Sequence, residues 1–150
     1  MNEIVREHTN NSGNEDHPVT GHLPHPRDRR RVGEAFHTAL TKGDWDGIRS
    51  LLHDDAVWVL PGDNAISGRV EGAGAIVDHV RKIAGYGVSF ELLHILVSAR
   101  NVALSLHNTA RRGDVVLDEH LATVCRLRDG KVECIETYLS DVDGMNAFFV

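Results

Sequence analysis

The run from Gly43 to Gly68, GDWDGIRSLLHDDAVWVLPGDNAISG, constrains the fold more than any other part of the chain. Gly43 can adopt the left-handed conformation that ends a helix, and Asp44 can cap the next one. Trp45, Ile48, Leu51 and Leu52 recur at helical spacing. His53, Asp54 and Asp55 break that run. Ala56–Leu60 then reads as a short apolar strand that Pro61–Gly62 stops. A chain with this sequence turns a helix directly into a short helix and that into a strand.

The flanks extend the pattern. Upstream, residues 27–42 carry an apolar stripe of Val32, Ala35, Phe36, Ala39 and Leu40, which predicts a long helix leading into Gly43. Arg29, Arg30 and Arg31 read as its solvated face. Residues 1–25, rich in Asn, His, Gly, Pro and charge, show no apolar period and read as a flexible extension, with the domain over residues 26–150. The spacing of His8, His17, His22 and His25 fits no defined metal site. Downstream, Asp63–Gly68 reads as a polar loop and residues 72–84 as a helix with Ala73, Ile76, Val77, Val80 and Ile83 inward. Four strands follow: residues 90–98, 102–111, 115–128 and 131–139. Their apolar residues on both faces imply a sheet covered on both sides.

One domain suits a length of 150 residues, and 41% hydrophobic with 25% charged residues is ordinary for a globular chain. A formal charge of −6 speaks against nucleic-acid binding, which wants a basic face. No apolar run is long enough to span a bilayer and no secretory leader is visible, so the reading is cytoplasmic. Cys125 and Cys134 read as free thiols.

The element order and the segments KGDWDGIRSLLHDDAVWVLPG, ISGRVEGAGAIVDHV, LHILVS and RLRDGKV resemble the SnoaL-like polyketide cyclase and ketosteroid isomerase-like group of the nuclear transport factor 2-like superfamily, over about residues 30–148. The resemblance implies an α+β fold: a cone-shaped, curved, mostly antiparallel sheet wrapped around the long first helix, with an internal apolar pocket and a homodimer through the outer sheet face. It also shows departures. Leu60 stands where ketosteroid isomerases have an aspartate base, Phe36 where they have a tyrosine, and Thr123 where a second acid falls. The acid/base groups of that isomerase chemistry are therefore missing here.

Aligned on the family, Ala103, Ser105, His107 and Thr109 turn inward, as do Leu117, Glu119, Leu121 and Thr123. A three-residue turn at Arg112–Asp114 would set His107 opposite Glu119, forming an acid/base pair. A two-residue Gly113–Asp114 turn would instead set His107 opposite His120 and turn Glu119 outward. A three-residue loop at Arg128–Gly130 would place Ile135, Thr137 and Leu139 in the cavity and Glu136 outside, the more apolar arrangement. A two-residue turn would bring Glu136 opposite Thr123 inside. Trp58 and Phe90 read as pocket walls, Asp63 and Asn64 as part of its rim, and His94 as structural.

These residues predict a cofactor-free and metal-free enzyme of secondary metabolism that acts by general acid/base chemistry on a small apolar oxygenated molecule. Cyclisation, isomerisation, dehydration or epoxide opening would all suit. His107 and Glu119 are its candidate catalysts. Phe36, Trp58, Leu60, Asp63, Phe90, Ser105, Thr109, Leu121, Thr123, Thr137 and Leu139 would meet the substrate. The alternative is a non-catalytic small-molecule-binding or dimerisation domain of the same fold. Neither reading has a nucleic-acid or membrane partner.

Overall fold

A computed structural model describes residues 25–150. The expected extension thus lies outside the described residues apart from His25, which caps the first helix by accepting a hydrogen bond from the Arg27 N–H at 3.0 Å. That helix, α1 (Pro26–Lys42), has proline in its first turn and ends at Gly43 with φ 66°. The Asp44 carboxylate caps α2 (Trp45–Leu51) by accepting from the Gly47 N–H at 2.9 Å. The strand that follows, β1 (Leu52–Leu60), starts earlier than the polar His53–Asp55 triplet suggested, because these residues sit where the sheet edge is open to solvent. A short strand the sequence did not reveal, β2 (Gly68–Glu71), pairs with it. Then come α3 (Ala73–Ala84), β3 (Ser89–Val97), β4 (Asn101–Arg112), β5 (Val115–Arg128) and β6 (Lys131–Leu139). A final helix, α4 (Val142–Phe148), also went unforeseen.

The six strands form one curved, unclosed sheet in the order β2-β1-β6-β5-β4-β3. Only the β1–β6 pair is parallel. The helices α1 and α3 pack on the inner face, and α4 packs against β5. The helix–sheet approach is close at Gly33: a Cβ there would lie 2.9 Å from a Val102 methyl and 3.1 Å from one of Leu104. Arg29 is buried on this side of α1, contrary to the solvated face expected of the three arginines. The core runs from Ile48 and Ala56 through Ile76, Val102, Leu104 and Ile135 to Phe148, all essentially without solvent contact. No helix among the described residues is long and apolar enough to cross a membrane.

Two turns decide which side chains face inward. Gly113 and Asp114 form a two-residue turn between Arg112 and Val115, with positive φ at Gly113 (59°). The β4–β5 ladder then runs without a bulge, so Ala103, Ser105, His107 and Thr109 lie on the outer face. Leu104, Leu106 and Asn108 point in. The expected orientation of β4 is thereby reversed. Asp129 and Gly130, both with positive φ (53° and 77°), form the second two-residue turn. Here a register shift between Arg126 and Leu127 inserts one extra residue in β6, Glu133. That bulge sets Thr123 opposite Thr137 and leaves Ile135 and Thr137 buried with Glu136 exposed. The expected inward orientation of Ile135 and Thr137 holds, although the turn has two residues rather than three and the bulge restores the alternation.

Candidate functional site

The curved sheet and the helices enclose a cavity of about 50 Å³. Phe36 and Leu40 of α1 form one side, and Val80 and Ile83 of α3 another. Trp58, Leu60, Phe90 and Leu106 come from the sheet, together with Leu117 and Leu121. Met145 of α4, Phe149 just beyond it and Ile66 complete the apolar wall. Each strand contributes alternate residues because successive side chains point to opposite faces.

The polar groups in this wall are few and neutral. The Trp58 indole N–H donates to Thr137 Oγ1 at 2.9 Å, and Thr137 and Thr123 share a hydrogen bond of 3.2 Å. This chain satisfies the buried indole and hydroxyls within the wall. Asn108 differs: its Oδ1 is buried and meets no hydrogen-bond partner. Leaving a buried amide oxygen unpaired costs about 1–3 kcal/mol, so this atom marks a place where a guest could hydrogen-bond. No Asp, Glu, His, Lys, Arg, Cys or Tyr is among the described residues lining the cavity. Phe36, Leu60 and Thr123, the positions that correspond to the isomerase acid/base groups, do converge there, as two hydrocarbons and a hydroxyl.

Behind Trp58, the His79 ring meets the indole edge-on at 5.3 Å. Its Nε2 bonds to the Ile66 carbonyl at 2.7 Å. Burial lowers its pKa below the ordinary imidazole value, against the opposing pull of that carbonyl, and nearby Lys82 lowers it further. It therefore braces the wall as a neutral donor.

The proposed His107–Glu119 pair is not assembled. His107 sits opposite His120 on the outer face, and Glu119 sits opposite Asn108. Glu119 nevertheless remains buried inside, since it is β4 rather than β5 whose orientation is reversed. Its Oε1 accepts from the Ser140 N–H at 2.6 Å, the Ser140 hydroxyl at 2.9 Å and the Asp141 N–H at 3.1 Å. This carboxylate locks the β6–α4 connection, and so holds Met145 and Phe149 over the cavity. On the other face, His107 Nε2 lies 2.5 Å from Asp118 Oδ1 and its Nδ1 lies 3.5 Å from Glu91 Oε2. The Asp118 hydrogen bond raises the pKa of His107, Glu91 reinforces it, and Asp118 is lowered in return.

Of the other expected contacts, Phe36, Trp58, Leu60, Phe90, Leu121, Thr123 and Thr137 line the cavity. Ser105 and Thr109 do not, because they share the outward orientation of His107. Leu139 packs against the core from the inner face without reaching the cavity. Asp63 is exposed, its N–H bound to Asn146 Oδ1 at 2.8 Å. Asn108 was missed for the same reason that His107 was misplaced: one residue of register moves every β4 side chain to the opposite face.

Comparisons agree with this architecture. The structure of Bal32a, from a soil-derived mobile gene cassette, is 26% identical with a TM-score of 0.79, covering 83% of this chain and 98% of that one. An LEH-like epoxide hydrolase from M. tuberculosis has 21% identity and a TM-score of 0.65, covering 84% of this chain and 92% of that one. TerC, co-crystallised with polyporic acid, has 16% identity and a TM-score of 0.70, with coverage of 81% and 98%. No curated protein shows a matching sequence. The sequence matches the model of the SnoaL-like domain over residues 33–135. The fold, its neighbours and this match together make the chain a member of the SnoaL-like domain family.

Proposed function

We propose that the protein binds a small, largely apolar molecule inside the cone and that Asn108 anchors one hydroxyl or carbonyl of that molecule. The observation that carries this reading is the unpaired carboxamide oxygen of Asn108 in a wall otherwise made of hydrocarbon and self-satisfied polar groups. A carboxamide can offer its oxygen to a hydroxyl or, turned over, its NH₂ to a carbonyl. The fold relationship to TerC, crystallised with polyporic acid, supports a small-molecule ligand. The absence of any ionisable group from the described lining favours binding over the acid/base catalysis that the sequence suggested. We further propose a homodimer through the outer sheet face.

A panel of small metabolites tested by thermal shift and calorimetry checks the ligand assignment. A ligand carrying one hydroxyl or carbonyl should bind wild type at least about tenfold more tightly than its deoxy analogue, as an unpaired buried amide predicts. Asn108→Leu should erase that preference while still binding the analogue. Equal discrimination in both proteins would remove Asn108 from the site. Turnover of a bound ligand with a rate that follows an ionisable group would restore the enzymatic reading.

A further inference from the structure

We propose that the outer face of the sheet carries a divalent transition-metal site built from His107, Asp118 and His120, with Glu91 supporting His107 through its other ring nitrogen. These residues come from three adjacent strands and share one face. The register aligns Glu91 of β3 with His107 of β4, and His107 with His120 of β5. Asp118 lies two residues before His120 and so points the same way. None of the four lines the cavity, and the cavity chemistry leaves this cluster unexplained.

The geometry is close to that of a coordination shell. One ligand atom from each of His107, Asp118 and His120 lies within 4.8 Å of the others. A tetrahedral zinc ion with bonds of about 2.0–2.1 Å holds its ligands about 3.3–3.4 Å apart. His107 Nε2 and Asp118 Oδ1 stand 2.5 Å apart in a hydrogen bond that the ion would replace, and the exposure of Asp118 and His120 leaves their side chains room to turn. The two imidazole rings are stacked, 4.2 Å between centroids and 2° from parallel, so one ring must turn about its side-chain bonds before both nitrogens aim at one ion. Glu91 Oε2 lies 3.5 Å from Nδ1 of His107, the ring nitrogen turned away from Asp118, where it would orient the imidazole while water fills the fourth position. Two imidazoles with one carboxylate suit zinc, cobalt or nickel better than calcium or magnesium, which prefer an all-oxygen shell. The donors stand on paired strands rather than on loops, which favours a defined geometry.

The test uses the full-length protein, freed of metal by chelator and titrated with zinc by calorimetry. Cobalt serves as a spectroscopic probe. The site predicts one zinc ion per chain, a raised melting temperature, and a cobalt spectrum of low-symmetry coordination with imidazole ligands. His120→Ala and Asp118→Asn should each weaken zinc binding by more than about tenfold, since even an outer-shell change costs that much. Both positions are exposed, so circular dichroism should remain that of wild type. The sequence also holds His8, His17 and His22, and a triple variant to Gln at these positions should bind zinc as wild type does. Zinc binding lost in the triple variant but kept in His120→Ala would place the ion elsewhere and overturn the assignment. No zinc uptake at millimolar concentration would overturn it as well.

Discussion

Glu119 shows how much a single carboxylate can organise. Three donors converge on one of its oxygens, two of them the backbone N–H groups of Ser140 and Asp141, where the chain leaves β6 and enters α4. Removing this buried acceptor leaves those donors without their partner. Glu119→Ala should therefore cost about 2–3 kcal/mol in urea unfolding. Glu119→Gln keeps an acceptor oxygen but loses the charge, and should cost about 1–2 kcal/mol, charge-assisted bonds being roughly twice as strong as neutral ones. A Glu119→Ala protein as stable as wild type would show that the connection is held by the packing of Phe148 and Phe149 alone. The sequence could mark Glu119 as a buried acid but not assign its task. Its partners stand more than twenty positions later in the chain, just before a helix that no periodicity announced.

Between the elements, turn chemistry was legible and its consequence was not. Gly113–Asp114 and Asp129–Gly130 both invite tight turns, and both form them. The β4–β5 ladder then continues evenly, whereas β6 bulges at Glu133, so two similar turns lead to opposite outcomes relative to expectation. Gly130 tests the turn alone. With φ 77° and nothing within 4 Å of where a Cβ would stand, it offers space but unfavourable backbone. Gly130→Ala should lower stability by about 1–2 kcal/mol, the steric cost of a left-handed L-residue, without altering the fold. A loss under about 0.3 kcal/mol in equilibrium unfolding would mean that the hairpin relaxes to another turn type.

For the whole molecule, the corrected orientation of β4 also corrects the proposed dimer surface. Leu104 and Leu106, which an inward turn of Ala103 and Ser105 would have put on that face, belong to the core. The outer face instead presents two cross-strand rows: Leu96, Ala103 and Val124, and next to them Ser105, Ala122 and Tyr138. Leu96 and Tyr138 are 60% and 55% exposed, a large apolar surface for a sheet face without a cover. Sedimentation should show a dimer at micromolar concentration, and Leu96→Glu combined with Tyr138→Glu should dissociate it. A wild-type monomer under those conditions would refute the interface.

The local code determined most of the elements and the family. Helical stripes, capping residues, glycine stops and alternating strands depend on neighbours within a few positions, and these are visible in any reading of the chain. The resemblance to the family brought Phe36, Leu60 and Thr123 together in the cavity wall, with Trp58 read beside them. Tertiary structure decided what the local code leaves degenerate. Strand β4 is apolar on alternate residues of one face and small or polar on the other, and His107 and Asn108 are equally plausible guests of a polar-lined pocket. Only the unbulged pairing with β5, and the burial of Leu104 and Leu106 beneath α1, selected which of them turns inward. A shift of one residue costs nothing in local propensity but exchanges the two faces completely, so the choice belongs to the packed core.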